Sequence, residues 1–290
     1  MYYFPDSELI INPDGSIYHL HLLPEQIADT IIFVGDQNRV ADVSKHFSKI
    51  DIKVQNREFV THTGELDGKR ISVISTGIGT DNIDIVLNEL DALVNIDFEN
   101  RTLKPTHKSL NIIRIGTSGA LQSDILVDSF LLNTYAIGLD GLMHFYELNS
   151  QGREADIHFQ LLMQSGHFPI PPYVVSASKK LYQQINRSEF QKGITATCTG
   201  FYAPQGRQLR GEQSTPDLLS SLHKFQYEKF RIANFEMETA GIYGLARVLG
   251  HEAISVSAIL ANRITNDFSK NPQETVDRLI ELVLEQLSEK

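Results

Sequence analysis

Apolar runs of strand length alternate along this chain with segments whose apolar residues recur at helical spacing, and that alternation limits the folds open to it. "TIIFVGD" reads as a buried strand entering a turn, followed by the helical "NRVADVSKHF". "REFVTHTGELDGKRISVIST" reads as a hairpin, because "LDGK" supplies turn chemistry between two strand-like runs. In "DNIDIVLNELDALVNI" the residues Ile83, Val86, Leu87, Leu90 and Leu93 share one helical face, with Asp81 or Asn82 as the cap. "LNIIRIGTSGA" predicts a second buried strand that ends in a small-residue turn. The strand "ITATC", a helix opening at "NFEMETAGIYGLA" with Asn234 as its cap, and the strand "EAISVSAILANR" come later. A final helix carries Val276, Leu279, Ile280, Val283 and Leu287 on one side. The pattern predicts an α/β fold, a central mixed or mostly parallel sheet flanked by helices on both faces. With no repeat or linker, residues 1–290 read as a single domain, and 97–108 and 140–172 read as loops or insertions.

Charge narrows the partners. A formal net charge of −10 argues against nucleic acid and anionic membranes. No apolar run is long enough to cross a bilayer, and "MYYFPDSELI" lacks the layout of a signal peptide. The single cysteine, Cys198, allows no intrachain disulfide, fits a reducing cytoplasm and reads as a small buried hydrophobe. On so acidic a chain, any gathering of arginines stands out.

Three glycine-bearing segments at strand ends invite a chemical reading: "VGDQNRV", "STGIGTDN" and "RIGTSGA". Glycine lets backbone N–H groups approach a ligand, as at Gly35, and a helix N-terminus favours an anion. Arg39 and Arg114 match phosphate oxygens in paired hydrogen bonds, and Thr117 or Ser118 adds a hydroxyl. Tight turns with arginines paired to structural carboxylates fit the same residues. The spacing is neither a dinucleotide fingerprint nor a P-loop.

In "TGFYAPQGRQLRG", Gln205 and Arg207 project to the same side of an extended segment. A glutamine amide complements the O=C–N–H edge of a pyrimidine, Arg207 can donate to a ring carbonyl, and Phe201 or Tyr202 offers a stacking face. A solvated loop with aromatic anchors fits this segment equally. Two residues apart on a helix, Glu236 and Glu238 point roughly 200° away from each other, so they do not form one catalytic pair. Helix-dipole stabilisation accounts for acidic residues there, and one glutamate accepting two sugar hydroxyls is a more economical use.

Assembled, these motifs resemble the nucleoside phosphorylases, and within them the uridine phosphorylase group, from about His19 to Arg263. "GDQNRV" is similar to the family's GDPxRV turn and "NREF" to its HREF. "STGIG", "RIGTSGA", "FYAPQGR" and "NFEMET" match in the same order at similar spacings. The resemblance implies phosphorolysis of a nucleoside to free base and ribose 1-phosphate, with Arg114, Arg39 and Glu238 central to catalysis. Phosphate is expected at Gly35, Arg39, Arg114 and Thr117, with Arg57 reaching in from a neighbouring copy. Ribose is expected at Thr117, Met237 and Glu238, with a neighbouring His19 on the 5′-hydroxyl. The base is expected at Phe201, Gln205 and Arg207, with Arg263 behind Arg207. Sharing of His19 and Arg57 implies a homo-oligomer, at least a dimer and in some relatives a hexamer. Phosphate is a co-substrate, and no metal or organic cofactor is implied.

The resemblance also bears on base choice. Purine-directed members use an aspartate near the end of the strand that here reads "ILANRI", where Asn262 stands, which favours a pyrimidine. Three features depart from the group. Asn82 replaces a serine at the monovalent-cation site of bacterial uridine phosphorylases, Ala-Pro precedes Gln205, and the small Ala261 widens the base pocket. The competing readings are a purine or broad-specificity phosphorylase, a hydrolytic nucleosidase on the same fold, and a non-catalytic nucleoside-binding module. A triple-arginine anion clamp argues against the hydrolase, and retention of phosphate, sugar and base groups together argues against the binding module.

Overall fold

In the computed structural model, which describes residues 2–150 and 152–288, strand β1 (Thr30–Val34) leads into helix α1 (Gln37–Ser44). Strands β2 (Lys49–Asn56), β3 (Phe59–Leu66) and β4 (Lys69–Ser75) follow as an antiparallel meander. Helix α2 (Thr80–Asn95) precedes a short hairpin of β5 (Ile96–Asp97) and β6 (Thr102–Leu103), then the long strands β7 (Asn111–Ala120) and β8 (Phe130–Leu139). Helix α3 (Arg153–Ser165), β9 (Tyr173–Ser176), helix α4 (Lys179–Ile185), β10 (Phe190–Cys198) and helix α5 (Leu218–Lys224) come next. The chain continues through β11 (Gln226–Tyr227), β12 (Phe230–Glu236), helix α6 (Thr239–Leu249), β13 (Glu252–Asn262), β14 (Asp267–Phe268) and helix α7 (Pro272–Ser288).

The sheet is covered on both faces because its strands are apolar at successive positions. In β1, Ile31 and Phe33 pack with Ile83, Val86 and Leu87 of α2 and Ile242 of α6, while Ile32 and Val34 pack with Val40 of α1 and Leu279 and Val283 of α7. The α7 stripe named from the sequence is buried throughout. Small residues in α6 permit close approach: a Cβ at Gly241 would lie 2.9 Å from Thr80 of α2.

Pairing is mixed. β1 is parallel to β4 and β7, β13 is parallel to β7 but antiparallel to β8, and β10 is parallel to both β8 and β12. β12 also pairs antiparallel with β7, matching Asn234 to Ala120 and Phe235 to Gly119. Strands β7, β13, β8, β10 and β12 therefore close a ring. That closure brings the end of β12, which carries Glu236 and is followed closely by Glu238, against the end of β7, which follows Arg114.

Several local expectations are corrected. "RIGTSGA" is not a turn: β7 runs unbroken through Ala120, paired with β13. Asn234 does not cap a helix but lies buried inside β12, and α6 begins at Thr239. Neither Asp81 nor Asn82 caps α2, whose N-cap is Gly79 at φ +97°. The 140–172 stretch contains α3 and β9; α3 shows Phe159, Leu162 and Met163 to solvent as well as burying Ile157 and Leu161, which blurs its amphipathic signal. Within 97–108, Asp97 and Thr102 pair in the small hairpin.

Candidate active site

A cavity of about 790 Å³ opens where β1, β7, β12 and β13 end. Gly35, Arg39, Arg114, Thr117, Phe201, Gln205, Arg207, Met237 and Glu238 line it, so nine side chains or glycines singled out from sequence converge on one space.

Arg114 sits at its floor, buried, with Nη2 donating to Glu238 Oε2 at 2.5 Å and lying 3.5 Å from Glu236 Oε2. Its Nη1 is buried without a hydrogen-bond partner. The guanidinium lies over Gly116, where a Cβ would meet Nη1 at 1.9 Å, so this glycine leaves a slot within a strand. Burial pulls Arg114 down, yet the Glu238 and Glu236 carboxylates beside it hold it above its usual value. Arg39 is lowered by burial first and by the like charge of Arg114 second. Two guanidinium groups that disfavour each other across one cavity are stabilised by an anion between them.

The two glutamates do different work. Glu236 turns back on the chain: Oε2 accepts from the backbone N–H groups of Glu238 (3.0 Å) and Thr239 (2.8 Å) and from the Thr239 hydroxyl (2.7 Å), and Oε1 accepts from Thr197. It is the anion at the α6 N-terminus. Glu238 is held from outside that helix, by Arg114 and by the Gly79 N–H, which donates to Oε1 at 2.8 Å. Burial raises the Glu238 carboxyl above its ordinary value, Arg114 opposes that, and Glu236 adds to it, since two carboxylates share one guanidinium.

At the other end, Gln205 is buried on a short 3-10 turn, and Arg207 Nη1 donates to its Oε1 (2.6 Å) and to the Phe201 carbonyl (2.7 Å). Arg207 also lies 3.8 Å from the Phe201 ring centroid. Burial first and the Arg263 charge second bring Arg207 to about 10, so it stays cationic at neutral pH. Arg263 does not line the cavity; it donates to the Gln205 carbonyl (2.9 Å) and fixes that turn from behind. Leu260, Ala261 and Phe268 complete this end.

His19 and Arg57 are not brought into the cavity of their own copy. They lie together nearby, with the Arg57 guanidinium 5.6 Å from the Tyr18 ring and Asn56 donating to the His19 carbonyl at 2.8 Å. Asn262 is also outside it: Nδ2 donates to the carbonyls of Gln122 and Ile125, and Oδ1 accepts from the N–H groups of Ile264 and Thr265. Its amide thus staples a turn, and the pyrimidine argument moves to the base end itself, which presents no carboxylate among the described residues.

Sequence reasoning passed over Asp36, Glu58 and Phe268, which line the cavity, and left Asn82, another lining residue, as a departure from the group. Phe268, an exposed aromatic on β14, pairs directly with Ala261 of β13, a juxtaposition with no local trace in the sequence. Glu58 and Asn82 both close on Gly77, at φ +71°, where a Cβ would meet Asn82 Nδ2 at 2.4 Å and Glu58 Cγ at 3.3 Å.

One cluster has metal-like composition. Ligand atoms of Asp91, His107 and His251 lie within 4.8 Å of one another. His251 Nδ1 accepts the Leu110 N–H at 3.2 Å, so Nε2 carries the proton and faces Asp91 Oδ1 at 3.3 Å. A protonated nitrogen is no metal ligand, and the group reads as a structural polar contact. Among the described residues, no helix is long and apolar enough to cross a membrane.

Comparison with known proteins places this geometry in context. A family model described as Phosphorylase superfamily matches residues 29–288. A uridine phosphorylase of Thermococcus kodakarensis is 30% identical over 270 residues, 92% of this chain and 85% of that protein. A DeoD-type purine nucleoside phosphorylase of Buchnera aphidicola is 26% identical over 271 residues, 92% of this chain and 97% of that protein. A solved nucleoside phosphorylase of Trypanosoma brucei, described as showing uridine phosphorylase activity, superposes with a TM-score of 0.88 at 28% identity, covering 96% of this chain and 99% of that one.

Proposed function

This chain belongs to the phosphorylase superfamily as a nucleoside phosphorylase, a pentosyltransferase, and from that premise we propose that it cleaves uridine with inorganic phosphate into uracil and ribose 1-phosphate. The observation that carries the reading is the cavity's division, with two arginines and Glu238 at one end and Gln205 with Arg207 at the other. Uridine phosphorylase relatives support the base assignment.

Phosphate binds Arg39, the free Nη1 of Arg114, Thr117 and the backbone at Gly35, with Arg57 supplied by a second copy. It attacks C1′ as the C1′–N1 bond breaks. Glu238, fixed by Arg114 and Gly79, accepts from the 2′- and 3′-hydroxyls beside Met237, and His19 of a second copy meets the 5′-hydroxyl. The bond's electron pair leaves on uracil, whose anion is stabilised by Gln205 and Arg207 against the Phe201 face. Cationic character left on the sugar is balanced by the phosphate below it. Positioning and electrostatics suffice, so the reading calls for no metal or organic cofactor. It calls for a homo-oligomer, at least a dimer, since His19 and Arg57 do not line their own cavity. The thiol of Cys198 is buried and pushed well up by that burial, which supports no nucleophilic role for it.

A panel of uridine, deoxyuridine, thymidine and inosine, assayed for free base with phosphate present, tests the substrate. Uridine is expected to lead. Faster cleavage of inosine moves the assignment to purines.

A further inference from the structure

We infer that Glu89 is a positioning residue for His19. This rests on the phosphorolytic reading above, in which the His19 ring serves a second copy's sugar.

The carboxylate of Glu89, on α2, reaches the distant His19 segment. Both of its oxygens accept the His19 backbone N–H (2.9 and 3.0 Å), Oε2 accepts the Leu20 N–H (2.8 Å), and Oε1 lies 2.6 Å from His19 Nδ1. The glutamate side chain is 12% exposed and the histidine 25%. A carboxylate only accepts, so Nδ1 carries the proton, and in the neutral ring Nε2 keeps a lone pair. The mount therefore fixes both the ring's orientation and its tautomer. It presents Nε2 as an acceptor, which suits a hydroxyl donor such as the 5′-OH of a nucleoside.

A purely structural glutamate would need only the two backbone N–H groups. The additional short contact to the ring, with Tyr18 edge-on to His19 at 4.6 Å, holds a side chain that does nothing for its own cavity. Asn56 fastens the same segment to the turn bearing Arg57, so His19 and Arg57 are displayed as one unit. Helix α2 also has a second duty at its start, where the Gly79 N–H fixes Glu238. Ten residues of helix, roughly 15 Å, separate that contact from Glu89. One rigid element thus supports the sugar clamp of its own cavity and the imidazole offered to another.

The test compares uridine with 5′-deoxyuridine, in phosphate, for wild type, Glu89→Gln, His19→Ala and the double variant. Glutamine keeps an acceptor for the backbone N–H groups while no longer enforcing the ring's tautomer. Expected is a wild-type preference for uridine in kcat/KM that shrinks by about tenfold in Glu89→Gln, chiefly through KM, with the double variant no worse than His19→Ala alone. Full preference in Glu89→Gln, or additive losses in the double variant, overturns the inference. Nitrogen-15 NMR of the His19 ring reads the tautomer without any turnover. Protonated Nδ1 in wild type, shifted in Glu89→Gln, supports the inference, and protonated Nε2 in wild type overturns it. Absence of phosphate-dependent cleavage of either nucleoside, with Nδ1 protonated, overturns the phosphorolytic reading instead.

Discussion

The Arg114 guanidinium lies directly over Gly116, two residues along the same strand, at a distance that admits no side chain between them. The orientation of Arg114, the arginine proposed to hold phosphate, thus depends on the absence of a side chain at Gly116, which itself lines the cavity. Gly116→Ala is expected to displace Nη1 and lower kcat/KM for phosphate by about 100-fold, the scale of an ångström's misplacement in a preorganised site. Steady-state kinetics with phosphate varied checks this, with a far-UV CD spectrum to show the fold retained.

Glu238 supplies the clearest pH signature. Its carboxyl is raised, chiefly by burial, so the acid limb of kcat/KM is expected above the ordinary carboxylate value of 4.5. As pH falls through that raised pKa the group takes up a proton, loses acceptor capacity toward the sugar hydroxyls, and the rate drops. As pH rises through it, the rate recovers. Glu238→Gln is expected to cost about 10²–10³-fold at neutral pH and to flatten this limb, which a pH–rate profile of both proteins measures.

Base selection should reside in Gln205. Gln205→Ala is expected to reduce the preference for uridine over inosine by about tenfold or more, with phosphate KM little altered. Selectivity that survives the substitution removes Gln205 from the base site.

The buried Asn262 amide makes four hydrogen bonds to backbone groups and faces no cavity. Asn262→Asp replaces two donors by acceptors facing carbonyls and is expected to destabilise the fold by about 2–3 kcal/mol, measured by urea denaturation. It should not create inosine cleavage. A gain of purine activity would show that the residue reaches the base after all.

What the sequence made legible follows from the range of each interaction. Helical stripes such as Val276 to Leu287 and the strand runs of β1 and β13 declare themselves because their burial is periodic. The ring closure between β12 and β7 has no periodic trace, so the end of β12 read as a helix and "RIGTSGA" as a turn. Glycine does work that the sequence does not announce: at Gly116 it makes room for a guanidinium inside a strand, at Gly79 it starts a helix at positive φ, and at Gly77 it leaves space for the Asn82 and Glu58 side chains. The roles proposed for His19 and Arg57 rest on resemblance alone, since no local sequence pattern marks a side chain for a neighbouring copy.

The most direct test of the account is uracil release from uridine in phosphate-free buffer and again with phosphate added, with the sugar product identified by NMR. The account predicts release only when phosphate is present, with ribose 1-phosphate formed mole for mole with uracil. Equal release without phosphate, yielding free ribose, would contradict it.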